Sequence, residues 1–368
     1  MEIICSQQQL LGAINTVLKA VSSKTSYPIL ECILIETDND DIRLTANDND
    51  FCIETVIPGT VNRAGKIALN ARTLADLVRK LPADDVVIST DDRFVTTIVC
   101  GKAKFSLHGD PGDEFPKPLP FDDSNPLVIS QFTLKDIIRQ TIFAISDNES
   151  NRIMTGEYFE IEGNRLRVTA LDGYRVSIRN VELRGNYEKN SVIVPGKVLS
   201  EVGKILSGDM EKDVSIFFDE RNIIFAFADT VVHSRLIDGR YYTIDSMINT
   251  ECETKITVNK RELIDCIDRA SLFVKESEKK PVILEIFETN IMISINTQVG
   301  SMNEEILAER EGNDIKIGFT PKFLLDILRV IDDETITLYL HNAKTPCFIR
   351  ANDDSYIYML LPVNIGSH

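Results

Sequence analysis

Basic side chains recur at one position of the predicted helices of this chain. Each helix is located by an anchoring leucine, and the anchors are Leu10, Leu74, Leu134, Leu199, Leu263 and Leu324. Five residues after the anchor, four of the six helices carry a cation, namely Arg79, Arg139, Lys204 and Arg329. At about 100° per residue, this position lies opposite to the apolar stripe that contains the anchor. Repeated lysine and arginine side chains on such a surface can bind the phosphate groups of a polyanion.

A second position adds cations to the same outer face of the helices. Two residues before the anchor stand Arg72, Lys197, Arg261 and Lys322. The fifth helix has Asp268 five residues after its anchor, followed by Arg269. Two interpretations stay open, because solvated helix faces normally hold Lys and Arg. The recurrence of one register in an otherwise acidic protein favours a surface that binds a polyanion.

The sequence lacks the short motifs of common catalytic and nucleotide-binding sites. GxxxxGK[ST], GxGxxG, HExxH and GxSxG are absent, and the four histidines lie far apart. Adjacent acids such as Asp84 and Asp85 are typical of a turn rather than of a glycosidase pair. We therefore expect no enzyme, no metal site and no cofactor. A hydrolase acting on a polymer held along the basic face is the second hypothesis, and a protein-interaction scaffold is the third.

The helices belong to a unit of sequence that recurs six times, about every 60 to 65 residues. Each unit opens with a short apolar strand, and the helix that follows has apolar residues three, four and seven positions after its anchor. Further short strands and turns follow each second helix, as in Val86 to His108. The pattern predicts an α+β protein of three similar domains, each with two helices packed on mainly antiparallel sheets of roughly eight short strands.

Two interruptions of the strand pattern predict the domain boundaries. Five prolines fall between Asp110 and Pro126, and a less distinct break runs from Asp238 to Glu253. The predicted domains are 1–120, 126–247 and 251–365, and 366–368 is interpreted as the remnant of an expression tag. No segment approaches the roughly 18 apolar residues of a membrane span, so we expect a cytoplasmic protein with no membrane partner. Its seven cysteines show no CxxC spacing and are expected to be reduced.

The overall charge argues against an ordinary DNA-binding protein. The net charge is −17, whereas affinity for DNA comes from cations that neutralise phosphates. A DNA-binding role requires the positive charge to be concentrated on one surface. Acidic runs such as Asp84-Asp85 and Asp353-Asp354 fall in predicted turns and linkers instead of on the helices.

Several segments resemble the β sliding clamp family, the processivity subunit of bacterial DNA polymerase III. The resemblance covers the chain up to its last three residues and rests on segments in all three predicted domains. They are YPIL at 27–30, FSL at 105–107, TALDGYRV at 169–176, SVIVP at 191–195, LIDGR at 236–240 and YMLLPVNI at 358–365.

The resemblance implies a DNA sliding clamp that encircles duplex DNA and tethers the replicative polymerase and other DNA-processing proteins. Two chains would form a head-to-tail ring dimer whose twelve helices line the hole. The implied DNA-facing residues are Lys24, Arg72, Arg79, Arg139, Asn148, Lys197, Lys204, Arg269, Lys322 and Arg329. The implied dimer interface joins Phe105 and Leu107 of one chain to Leu272 and Phe273 of the next.

The resemblance also implies a hydrophobic cleft that binds short linear peptides of partner proteins. These partners are the catalytic subunit of DNA polymerase III, the clamp loader and other proteins with a clamp-binding motif. The matching positions are Met154, Leu171, Gly173, Tyr174, Arg175, Val176, Tyr242, Met247, Met359, Leu361, Pro362 and Val363. Met and aliphatic side chains suit varied anchors, and Arg175 would meet a polar group. Tyr242 and Asn364 stand where the family often has proline and arginine, so the preferred peptide motif is expected to differ.

Overall fold

The structure is a computed structural model that describes residues 1–22, 25–38, 41–118, 121, 124–248, 252–274 and 280–365. Its α-helices are α1 Gln7–Val17, α2 Ala71–Arg79, α3 Gln131–Thr141, α4 Gly196–Ile205, α5 Lys260–Ser271 and α6 Pro321–Val330. All six leucine anchors are at most 1% exposed, which confirms the predicted amphipathic helices. None of the described helices is long and apolar enough to cross a membrane.

The strands fall in the segments where apolar alternation predicts them. The first eleven are β1 Glu2–Ser6, β2 Cys32–Asp38, β3 Asp41–Asn47, β4 Phe51–Pro58, β5 Thr60–Arg63, β6 Lys66–Asn70, β7 Asp85–Thr90, β8 Val95–Cys100, β9 Ala103–His108, β10 Asp110–Pro111 and β11 Leu127–Ser130. The next five are β12 Gly156–Leu171, β13 Arg175–Pro195, β14 Asp213–Phe218, β15 Asn222–Phe227 and β16 Thr230–Arg235. The last eight are β17 Thr254–Asn259, β18 Val282–Ile286, β19 Asn290–Asn296, β20 Ser301–Gly312, β21 Ile315–Phe319, β22 Thr335–Leu340, β23 Cys347–Arg350 and β24 Tyr356–Leu360.

Side chains at the helix starts satisfy backbone N–H groups that would otherwise lack partners. The Ser6 hydroxyl accepts a hydrogen bond from the Gln9 N–H, and the Asn259 side chain accepts one from the Glu262 N–H. Both capping predictions are therefore confirmed. Thr320 makes no capping side-chain bond, and the proline that follows it, at the first position of α6, provides the helix start instead.

The chain divides into two compact units, residues 1–134 with 201–236, and residues 135–200 with 237–368. The first unit contains a five-stranded sheet, β5-β1-β7-β8-β9, and a nine-stranded sheet, β10-β6-β2-β3-β4-β16-β15-β14-β11. The second unit contains a ten-stranded sheet, β12-β13-β24-β23-β22-β17-β20-β19-β18-β21. All strand pairs are antiparallel, so the predicted α+β class is confirmed.

The sheets are continuous across the predicted domain boundaries. β4 pairs with β16, which places Ile53 opposite Val232, and β13 pairs with β24, which places Val176 opposite Met359. This pairing explains why the residues of the predicted second domain are divided between the two units. The boundaries at 1–120, 126–247 and 251–365 stay a prediction.

Two strands of the middle segment are longer than the sequence pattern predicts. β12 has 16 residues and β13 has 21, and they form one hairpin with irregular register between Ile161 and Arg165. Gly163 lies at this irregularity with φ of +63°, a conformation that favours glycine. The region therefore has fewer, longer strands than the roughly eight short ones expected.

A glutamate is fully buried beneath α3. Glu157 is 0% exposed, and burial raises the pKa of its carboxyl to about 8. The Thr141 hydroxyl oxygen lies 2.7 Å from the carbonyl oxygen of Ile137 and 2.9 Å from Glu157 Oε1. One hydroxyl proton serves only one of these contacts, so a protonated Glu157 can donate the other.

Replacing Glu157 by Gln is expected to reduce the pH dependence of stability. The carboxyl keeps its proton in the folded chain up to about pH 8, whereas the reference pKa is 4.5. The wild-type chain therefore loses stability as the pH rises through this window. The free energy of unfolding of Glu157→Gln, relative to wild type, should rise between pH 5 and pH 8 in urea titrations. Glu162→Gln, on the same strand with an exposed carboxylate, is the control, and an equal rise in both variants would contradict the buried neutral carboxyl.

Candidate functional site

The twelve residues of the predicted cleft all lie in the second unit, and backbone pairing brings their segments together. Val176 pairs with Met359 across β13 and β24, and Leu171 pairs with Val176 in the β12–β13 hairpin. Beyond β24, the Leu361 N–H donates to the Tyr174 carbonyl at 2.9 Å, and the Val363 N–H donates to the Gly318 carbonyl at 2.8 Å. The chain end therefore lies against both the hairpin and β21.

The floor of this region is an apolar cluster. Its buried members are Leu171, Val176, Ile178, Ile193, Ile237, Tyr241, Ile244, Phe348 and Met359, with Met154 packed at its margin. Above this floor, Tyr174, Tyr242 and Met247 are 56%, 43% and 54% exposed. Large exposed apolar side chains next to a buried apolar cluster are typical of a surface that binds a partner.

The turn between β12 and β13 is held in shape by Asp172. Its carboxylate accepts hydrogen bonds from the N–H groups of Tyr174 and Arg175 at 2.9 and 3.1 Å. Gly173 has φ of +89°, which only glycine adopts without strain. No atom lies within 4 Å of a Cβ built there, so glycine is required by the backbone and not by crowding. The turn directs the Tyr174 side chain away from the sheet.

Arg175 is buried, with 6% of the residue exposed, and its donors are all used within the chain. Its guanidinium donates to Asp172 at 2.9 Å, to Asp326 of α6 at 2.6 Å and to the Phe143 carbonyl. It also lies 4.5 Å from the ring centroid of Phe323, a favourable cation–π distance. In this arrangement the guanidinium positions the turn and α6 beside the cleft. It leaves no donor free for the polar group of a peptide.

Several residues of the same surface were missed from the sequence. Tyr158 and Tyr241 stack with ring centroids 4.9 Å apart, and Phe323 stacks on Tyr174 at 5.8 Å. The Tyr242 hydroxyl accepts a hydrogen bond from the Asn151 side chain at 2.9 Å. Phe323 precedes a helix anchor and Tyr241 adjoins Tyr242, but only the folded chain shows that these rings lie together.

The predicted DNA-facing cations are exposed on their helices, and most of them form ion pairs. Arg79 pairs with Asp76 at 2.9 Å, Lys204 with Glu201 at 2.7 Å and Arg329 with Asp268 at 2.7 Å. Arg139 pairs with both Asp136 and Asp332 at 2.5 Å, and Arg269 pairs with Glu304.

The other predicted DNA-facing residues differ in their surroundings. Arg72 and Lys322 are exposed and form no ion pair with any residue that the structure describes, and Lys197 is exposed on α4. The Asn148 side chain accepts a hydrogen bond from the Ser150 N–H at 3.0 Å on an exposed turn. Lys24 and residues 366–368 lie outside the described residues.

The four predicted interface residues lie at exposed edges of their own units. Phe105 and Leu107 are on β9, the outer strand of the five-stranded sheet, where Phe105 is 41% exposed. Leu272 follows α5 and is 80% exposed, and the half-buried Phe273 packs at the margin of the second unit's core. Among the described residues, no group of three or more His, Cys, Asp and Glu side chains is arranged to hold a metal ion.

Comparison with known proteins identifies the fold. The structure matches the crystal structure of the DNA polymerase sliding clamp from Bacillus subtilis with a TM-score of 0.96, at 35% identity over all of both chains. It matches a structure described as a DNA polymerase III beta subunit from Eubacterium rectale with a TM-score of 0.96, at 50% identity over all of both chains. The fold and the two exposed surfaces thus define a DNA clamp, the class of ring-forming proteins of replication.

The sequence comparisons identify the family. Models of the N-terminal, central and C-terminal domains of the DNA polymerase III beta subunit match residues 1–120, 128–242 and 245–364. The beta sliding clamp of Bacillus subtilis is 35% identical over 376 residues, covering 99% of each chain. This chain belongs to the beta sliding clamp family. It is a DNA sliding clamp, a processivity factor of DNA polymerase III without catalytic activity of its own, and it acts with DNA, polymerase and further copies of itself.

Replacing Arg175 by Ala is expected to destabilise the second unit by about 3 to 5 kcal/mol, because Asp172 and Asp326 would lose their buried countercharge. The free energy of unfolding from urea titrations measures the effect. Arg167→Ala is the control, because Arg167 pairs with the exposed Asp245 at 2.7 Å and should cost about 0 to 1 kcal/mol. Equal small losses in both variants would contradict a positioning role for Arg175.

Proposed function

We propose that two copies of this chain close head to tail into a ring around duplex DNA by pairing β9 of one chain with β20 of the other. β9 pairs with β8 on one side only and forms the outer edge of its sheet. Residues 301–307 of β20 pair with β19 on one side, and only the second half of β20 pairs with β17 on the other. Each unit thus offers one open strand edge, and exposed edges are usually protected by pairing or by charge.

The charges of the two edges are opposite, which supports pairing between unlike surfaces. Lys102 and Lys104 are exposed at β9, whereas Glu304 and Glu305 lie on the open part of β20. Two basic edges would repel each other, and so would two acidic ones. Opposite charges therefore favour a heterologous contact, which closes into a ring when the rotation between copies permits it.

Apolar side chains beside both edges supply the contact area. Phe105 and Leu107 lie on β9, and Leu272 and Phe273 lie at the end of α5. Large apolar side chains at the centre of an interface usually contribute most of its binding energy. Covering the 80% exposed Leu272 in the dimer would remove apolar surface from water in both copies.

Replacing Phe105 by Asp is expected to give monomers in sedimentation velocity, because the carboxylate would be buried at the interface without a partner. The variant should also lose the complex that wild type keeps on nicked circular DNA after a high-salt wash. Cutting the circle should release wild type, since a ring leaves through free ends. Phe132→Asp is the control, because Phe132 is 42% exposed against 41% for Phe105. A dimeric Phe105→Asp, or wild type retained after cutting, would contradict the proposed ring.

The second part of the proposal assigns the cleft of the second unit to linear peptides of partner proteins. The exposed Tyr174, Tyr242 and Met247 above an apolar floor support an occupant with apolar anchor side chains. The partners are the catalytic subunit of DNA polymerase III, the clamp loader and other proteins with a clamp-binding motif. Because these act on the bacterial chromosome, we place the chain in the cytoplasm.

Tyr242 and Asn364 set the peptide preference of this chain apart within the family. The Tyr242 hydroxyl is bound by Asn151, which fixes its aromatic ring at the rim of the cleft. Asn364 is exposed at the chain end and carries no charge. An aromatic rim favours flat or aliphatic peptide side chains, and a neutral residue removes one attraction for acidic ones.

The double replacement Tyr174→Ala with Met247→Ala is expected to weaken peptide binding at least about tenfold, because anchor contacts dominate such sites. A fluorescent peptide with the clamp-binding motif of the polymerase III catalytic subunit serves as the probe, and anisotropy gives the dissociation constant. Tyr27→Ala with Met210→Ala is the control, since these residues are 64% and 62% exposed against 56% and 54%. Unchanged binding by the first variant would place the peptide elsewhere.

The third part of the proposal assigns the outer faces of the helices to DNA, in three domains with the boundaries 1–120, 126–247 and 251–365. Arg72, Lys197, Arg261 and Lys322 each occupy the second residue of their helix. A cation there opposes the helix dipole and costs about 0.3 to 1 kcal/mol. Four such unfavourable placements support a functional reason for the charge. Near duplex DNA, cation and dipole together would attract phosphate.

A further inference from the structure

The helix cations of this chain are accompanied by acids in a fixed register. Each of the four helices with a cation five residues after its anchor has an acid two residues after it, namely Asp76, Asp136, Glu201 and Asp326. α1 has neither, since Gly12 and Asn15 occupy the two positions. In α2, α3 and α4, acid and cation form an ion pair three residues apart, with distances of 2.9, 2.5 and 2.7 Å.

α6 shows that the pairing persists where the local acid is used elsewhere. Asp326 binds the buried Arg175, so it is engaged away from Arg329. Arg329 pairs instead with Asp268 of α5 at 2.7 Å. Asp268 occupies the position of α5 that corresponds to the cations of the other helices. The acid that replaces a cation in α5 therefore neutralises the cation of α6.

Helix stability alone gives a weak reason for this arrangement. Exposed ion pairs contribute little to folding because water and salt screen them. The cations are far from buried, with Arg79, Lys204 and Arg329 showing 55%, 60% and 53% of their side chains to solvent. A phosphate can therefore reach each of them, but only by competing with a carboxylate already in place.

We infer that Asp76, Asp136, Glu201 and Asp268 act as built-in counter-ions that keep the helix face from gripping DNA. This inference rests on the proposed contact between the helix faces and DNA. An unpaired cation that meets phosphate releases bound salt ions, which strengthens binding at low salt. A cation already paired with a carboxylate frees that carboxylate when it meets phosphate, and the freed acid repels the DNA. Each contact is then nearly balanced against its loss, which suits a protein that must slide.

The variant Asp76→Asn/Glu201→Gln/Asp268→Asn tests the inference in the full-length protein. We expect it to bind a short linear duplex about tenfold more tightly than wild type at low salt. The dependence of log affinity on log salt concentration should steepen by at least about 1, because each freed cation adds about 0.9 per phosphate neutralised. A merely structural role for these acids would not change this slope. Fluorescence anisotropy across a potassium chloride series measures both quantities, and thermal melting checks that the variant folds.

The control has the same charge change at ion pairs off the helices. Asp50, Glu162 and Glu285 pair with Arg235, Lys189 and Lys316 at 3.3, 3.1 and 2.6 Å. Asp50→Asn/Glu162→Gln/Glu285→Gln should therefore change affinity less than twofold. An equal gain in both triple variants would show that net charge alone matters and would overturn the inference.

A third variant separates the inference from the proposed function. Arg79→Gln/Lys204→Gln/Arg329→Gln leaves the acids without their cations and should weaken binding to the duplex. If it weakens binding while the acid-to-amide variant equals wild type, the helices face DNA but the acids do not limit the grip, and the inference is overturned. If neither triple variant changes affinity or slope, the proposed DNA-facing role of the helices fails as well.

Discussion

Backbone pairing between strands far apart in the sequence is the interaction on which both surfaces of this chain depend. β4 with β16 joins segments about 180 residues apart, and β13 with β24 does the same in the second unit. In the first unit a buried hydrogen bond of 3.0 Å between the hydroxyls of Thr55 and Thr230 reinforces the junction. These seams hold each sheet as one layer, so residues that line the cleft keep fixed positions.

The segments that follow the sheets have opposite effects in the two units. In the first unit Phe115 is 4% exposed and packs on β2 and β6, while Asn47 donates to the Pro116 carbonyl at 2.9 Å. In the second unit, Tyr241 turns inward but Tyr242 and Met247 remain largely exposed. The first connecting segment completes a core, and the second leaves an apolar surface above one. This difference explains why only the second unit carries a cleft of the predicted composition.

The sequence was sufficient to predict the elements but not their contacts across long distances. The leucine anchors and period-2 strands gave the helices and most strand bounds, because burial of one face constrains local pattern strongly. The partners of Arg175 were not predictable, since Asp326 lies 151 residues away and no local pattern links them. The long β12–β13 hairpin was also missed, because an irregular register at Gly163 resembles a turn between shorter strands. The acids three residues before the helix cations were visible in the sequence, yet only distances show that they are paired.

A chain of net charge −17 is a poor electrostatic ligand for DNA, and a clamp has little need to be a good one. Retention by a closed ring depends on the strength of the dimer contact and not on the energy of phosphate contacts. Strong contacts would add a barrier to each step along the duplex and would make retention sensitive to salt. Paired cations such as Arg79 and Arg329 keep positive charge near the helix surface with little net attraction. The acidic composition that argues against DNA binding is therefore compatible with a protein that surrounds DNA, because topology supplies the hold that charge does not.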